Sequence, residues 1–152
     1  MGLDMYLTKK HYVQNWDYMN PEERHTVTVV RGDGQPTSID STRVVYVEEE
    51  AAYWRKANAI HGWFVRHVQD GVDDCKAYYV GREALHTLLD QCTRVMLDPD
   101  CAPEQLPTHA GFFFGDTAYD ANYRADLQDT ITQLTKALSV ADEGEFYYRA
   151  SW

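Results

Sequence analysis

Six side chains have types and spacing that suit them to chemistry: Trp54, Arg55, Asn58, His61, Asp73 and Asp74. An indole offers a flat face for a base, and a carboxamide both donates and accepts, which suits the edge of a nucleobase. An imidazole titrates near neutrality or ligates a metal, and a guanidinium fork holds phosphate. Trp54, Asn58, His61 and Val65 recur along one flank of a helical repeat. The first expectation is therefore a nucleotide pocket. In it Trp54 stacks, Asn58 and His61 read polar edges, and Arg55 or Lys56 meets phosphate. The plainer alternative packs Trp54 and His61 against a sheet and has Asn58 cap a strand edge, since buried polar groups are generally satisfied.

The acidic run Asp70, Asp73 and Asp74 follows the same segment. Carboxylates beside a histidine can hold a divalent ion, which points to a hydrolase. The calcium-loop pattern is not met, because the glycine is misplaced and no closing glutamate follows. Asp73 or Asp74 equally suits capping the next element or pairing with Arg66 or Lys76. Cys75 beside two aspartates is a poor nucleophile, since negative neighbours raise a thiol pKa. His86 and His109 have no partner that spacing can assign. No nucleophile elbow, zinc pair, Walker loop or Rossmann glycine set is present. No catalytic residue, metal ligand set or cofactor is therefore assigned, and a binding protein is preferred to an enzyme.

These residues need elements to position them. From Ala52 to Val68, Tyr53, Ala57, Ile60, Phe64 and Val68 recur at steps of four and three, which predicts a central helix. Glu48, Glu49 and Glu50 then stand at its start, where the dipole favours negative charge. Leu3, Met5 and Leu7 alternate with polar residues, so a half-buried first strand is expected, with Asp4 facing away from the apolar set. Thr26–Val30, Arg43–Val47, Lys76–Val80, the run Gly111-Phe112-Phe113-Phe114-Gly115 and Phe146–Trp152 read as further short strands. Helical spacing recurs over Arg82–Leu97 and Ala118–Val140. Tyr147, Tyr148 and Trp152 suit an aromatic rim, a subunit interface or sheet packing, and packing is preferred. The expectation is a single α+β domain over residues 1–152, with short, mostly antiparallel strands, about three helices, and first and last strands as neighbours.

The chain has 152 residues and a formal net charge of -10, enough length for one sizeable core. Such acidity argues against direct nucleic-acid binding, which needs a basic surface. Three cysteines in no metal or disulfide pattern suggest a reducing compartment. The amino terminus lacks a basic region followed by an apolar run, so a signal peptide is not expected. No apolar segment reaches membrane-spanning length, and no membrane association is expected.

The start Met1-Gly2-Leu3-Asp4-Met5-Tyr6-Leu7, the run Tyr53-Trp54-Arg55-Lys56-Ala57-Asn58-Ala59-Ile60-His61, the loop Gln69–Cys75, the Gly111–Gly115 segment and the closing Ser151-Trp152 resemble a family of small bacteriophage and prophage proteins. The resemblance spans nearly the whole chain. It implies a phage or prophage origin and a cytoplasmic setting in a bacterial host. By analogy with small accessory phage proteins, the expected function is counter-defence, by binding a small host molecule such as a nucleotide signal. The alternatives are an inhibitor that grips a host protein through an acidic surface, and a metal-dependent hydrolase using His61 with Asp73 or Asp74. A homo-oligomer is compatible with so aromatic a chain.

Overall fold

A computed structural model describes residues 2–152. Its single α+β domain holds one antiparallel sheet of four strands, with helices on one face. The strands are β1 (Asp4–Tyr12), β2 (Tyr46–Arg55), β3 (Tyr78–Val80) and β4 (Glu145–Ser151), in the order β2-β1-β4-β3. The helices are α1 (Asn58–His67), α2 (Arg82–Leu97), the single turn α3 (Ala102–Gln105) and α4 (Ala121–Leu138). The first and last strands pair, from Asp4 opposite Ser151 to Lys10 opposite Glu145.

Alternation decides which side chains point where. Leu3, Met5 and Leu7 of the amino-terminal segment, Ala52 and Trp54 of β2, and Phe146, Tyr148 and Ala150 of β4 are buried under the helices. Asp4 lies on the opposite face, as its place in the alternation requires, and accepts from the Tyr53 hydroxyl and from Arg55. Among the described residues, no helix lies on that opposite face.

The central segment differs from expectation in an instructive way. The chain is strand up to Arg55 and becomes helix only at Asn58. Glu48–Glu50 therefore sit on β2 rather than at a helix start. Pairing with β1 over Tyr46–Arg55 outweighs the helical spacing of Tyr53 and Ala57, and an irregularity between Leu7 and Thr8 absorbs one extra residue at Ala51. Lys56, with φ 58°, turns the chain from strand into helix. From Asn58 to Val65 every residue of α1 is buried, so the helix has no solvent face over that stretch.

Helix α2 has the expected bounds and buries Leu85, Leu88, Cys92 and Val95. Helix α4 begins at Ala121, later than expected, because the Asp120 carboxylate accepts from the backbone N–H of Asn122 and Tyr123 and so caps it. Thr26–Val30 is not a strand: only Val30 makes an isolated bridge, to Pro36. Gly111–Gly115 is a turn instead of a buried strand, with Phe112 exposed.

Candidate metal centre

Helix α1 brings His61 to the middle of the core side of the sheet, where it is fully buried. Its Nδ1 lies 2.8 Å from the Tyr148 hydroxyl, and its Nε2 lies 3.0 Å from Asp73 Oδ1. A carboxylate only accepts, so Nε2 carries the proton in this arrangement and Nδ1 accepts from Tyr148 O–H. Burial lowers the His61 pKa, against the opposing pull of Asp73. Burial also raises that of Tyr148 well above the ordinary phenol value, so the phenol stays an intact O–H. Phe64 stacks on the Tyr148 ring with centroids 3.8 Å apart, which holds the phenol in place.

Asp73 comes from the loop after α1. The chain leaves the helix through a hydrogen bond from Gly71 N to Val65 O, and Gln69 Nε2 donates to Val72 O, fixing the turn that presents the carboxylate. The second Asp73 oxygen lies 3.6 Å from His109 Nε2. One carboxylate thus sits between two imidazoles, and one ligand atom from each of His61, Asp73 and His109 lies within 4.8 Å of the others. Tetrahedral zinc with bonds of about 2.0–2.1 Å spaces its ligands roughly 3.4 Å apart, so only small movements separate this triad from a coordinating one. Burial falls away from His61 toward Asp73 and His109, both partly exposed, so the cluster opens to solvent on that side. Phe114 and Trp152 wall it, each packed against the His61 ring.

His109 reaches the site because of Asn58. The Asn58 carboxamide accepts from His109 N at 3.1 Å and donates to Phe114 O at 3.2 Å and Asp116 O at 2.7 Å. It clamps the 109–116 turn onto α1. Two glycines allow the fit. A Cβ on Gly62 would stand 2.7 Å from the His109 Cβ, and one on Gly111 would overlap the Phe114 ring. Phe113 carries φ 64°, an unusual backbone for a bulky side chain.

Of the six sequence candidates, the structure gathers Asn58, His61 and Asp73, with Asn58 as the clamp. The other three lie elsewhere. Trp54 is sealed in the core: β2 turns it under the helices, its ring packs on Phe64, and its Nε1 donates to Thr130 Oγ1 at 2.9 Å. A stacking hollow shared by Trp54, Asn58 and His61 is therefore not formed. Arg55 points to the other face of the sheet and pairs with Asp4. With Lys56 and Asn58 it lines a separate cavity of about 300 Å³ that also holds Asp116, Asp120 and Asp126. Asp74 accepts from Lys76 N at 3.0 Å and pairs with its Nζ at 3.1 Å; the backbone bond holds its pKa below the usual carboxylate value. This is the local pairing that the sequence offered as an alternative.

Sequence reading assigned His109 no partner and Tyr148 a packing role, which its full burial bears out, and placed neither beside His61. The available signal for His109 was Gly62, an isolated glycine inside a helical pattern, which marks close approach of another segment. No family model, curated protein or solved structure matches the chain.

Proposed function

We propose that this protein is a phage-type accessory protein with a divalent-metal centre of hydrolytic class, formed by His61, Asp73 and His109. The observation that carries this reading is one carboxylate set between two imidazoles, fully buried on one side and solvent-accessible on the other. Three protein ligands with one open position is the arrangement of catalytic rather than structural zinc. Two imidazoles favour zinc, cobalt or nickel over magnesium or calcium. An ion held there would supply Lewis acidity and activate water at neutral pH.

The chain's own residues then have distinct tasks. His61 would hold an ion through Nε2 with its proton on Nδ1, and the Tyr148 oxygen would then accept from that N–H. This is the outer partner that a metal-bound histidine uses to fix its tautomer. Asn58 holds His109 in reach without touching the ion. Phe114 restricts water on the buried side, and Trp152 packs on the His61 ring at the exposed rim. The resemblance to small phage proteins supports a host molecule as the substrate and action against host defence as the role.

Cobalt(II) titration followed by visible absorption tests this. The wild type gives intense d–d bands of a low-coordinate site. His109→Ala and Tyr148→Phe each weaken binding by about tenfold or more, and magnesium does not compete. Hydrolysis of phosphate-ester and carboxylic-ester reporters then appears with the metal and disappears in Asp73→Asn. Unchanged cobalt affinity in His109→Ala sinks the proposal.

A further inference from the structure

Consecutive residues of β4 look in opposite directions. Tyr148 faces the helices and meets His61, whereas Tyr147 faces the side of the sheet that no helix covers. Register places Tyr6, Thr8 and Lys10 of β1, Tyr46, Glu48 and Tyr53 of β2, Tyr79 of β3, and Tyr147 and Arg149 of β4 on that open face. It is rich in tyrosine and carries no aliphatic side chain larger than alanine among those facing the hollow described next.

The hollow, of about 320 Å³, is lined by Tyr6, Thr8, Lys10, Glu48, Ala77, Tyr147 and Arg149. Its size lies at the lower end of small-molecule sites, roughly 300–1,000 Å³. The two cations in it lie over aromatic rings: Lys10 Nζ is 4.2 Å from the Tyr46 ring centre and 5.7 Å from that of Tyr147, and the Arg149 guanidinium is 5.3 Å from that of Tyr6. None of the ion pairs among the described residues involves either of them. By register Lys10 lies between Glu48 and Glu145, while Arg149 lies opposite Tyr6 further along the sheet. In a chain with a net charge of -10, the concavity is thus lined by two cations outside any ion pair of the described residues.

We infer that this hollow binds a nucleoside monophosphate. The ligand chemistry follows from the lining. A planar ring suits the places over Tyr6 and Tyr147 that Arg149 and Lys10 occupy when no ligand is bound, since any base has a π-face to stack. Lys10 and Arg149 supply the charge-assisted donors that a phosphate takes. Glu48, an acceptor beside them, suits a ribose diol and turns away a ligand that is only an anion. The site lies across the sheet from the His61 centre and uses none of its residues, so it stands whether or not that centre holds a metal.

Calorimetry of the full chain against AMP, adenosine and inorganic phosphate tests the assignment. AMP binds, while adenosine and phosphate each bind at least about tenfold more weakly because each offers only part of the ligand. Arg149→Gln and Lys10→Gln each weaken AMP by about tenfold or more, and His109→Ala leaves AMP binding unchanged. Cobalt titration of Lys10→Gln stays as in the wild type, which separates this site from the metal centre. If either surface variant folds poorly, the Tyr6 and Tyr147 ring resonances of the unaltered protein report instead, and they shift on AMP addition. Absence of AMP binding at millimolar concentration, AMP no tighter than phosphate, or ring resonances that stay put overturns the inference. So does a stable dimer that buries this face.

Discussion

His61 and Asp126 show two opposite ways in which burial acts on a titrating side chain. His61 is sealed, and its partners make the neutral ring useful: one nitrogen faces a phenol, the other a carboxylate. Asp126 on α4 has no such partner. Burial, together with the charges of Asp129 and Asp120, pushes its carboxyl up to about 6. A folded-state pKa above the unfolded value of about 3.9 means that the native form binds more protons between these limits, so stability falls as pH rises from about 4 to 6. Asp126→Asn removes that loss. Thermal unfolding of the variant then shows a gain over the wild type at pH 7, of up to about 1 kcal/mol once solvent screening of this partly exposed group is allowed for. The gain shrinks to near zero at pH 4. Equal gains at both pH values would show that repulsion and desolvation at Asp126 are not its source.

At the scale of elements, the 109–116 turn is positioned by a single side chain of α1. Asn58 makes three hydrogen bonds to that turn, and all are to backbone. Asn58→Ala leaves two carbonyls and one N–H without partners, which costs about 3 kcal/mol or more in total stability. The more specific consequence is at a distance. Amide exchange at His109 and Phe114 accelerates, and cobalt affinity falls although Asn58 is no ligand. Asn58→Asp does not rescue, because a carboxylate placed against the Phe114 and Asp116 carbonyl oxygens repels them. Normal exchange at His109 in both variants would mean that Gly62 and the stacking of His109 on Phe114 hold the turn without the clamp. Of this arrangement, the Arg82–Leu97 helix and the first and last strands were legible beforehand, because their apolar periods are long and unbroken. The helix-to-strand correction at Tyr53 and Trp54 was not. Their spacing fits both periods, and only pairing with β1 selects the strand.

Across the whole molecule, the 33-residue excursion between β1 and β2 stands apart from the core. Residues 13–45 are all intermediate or exposed, with Tyr18, Val30 and Ile39 well open to solvent. The segment keeps its shape through local bonds, such as the reciprocal pair between Asn15 and His25 and the turn from Arg31 to Gln35. Such bonds add little without burial. Replacing residues 14–44 by an Asn-Gly turn therefore changes unfolding stability by less than about 1 kcal/mol, since a hairpin of β1 and β2 needs only two linking residues. Chemical denaturation measures this, and a large loss would show that the excursion braces the sheet.

The amino-acid sequence by itself determined the α+β class, the short antiparallel strands and the apolar faces of α2 and α4. Each follows from local period or from the simple need to bury an apolar face. It also singled out His61, Asn58 and Asp73 by residue type. Only the tertiary structure decided what they do. His109 lies 48 residues beyond His61 and Tyr148 lies 87 beyond it, and no local pattern relates positions so far apart. The same folding carried Trp54 away from them, because strand alternation turns a side chain to one face or the other without regard to its chemistry.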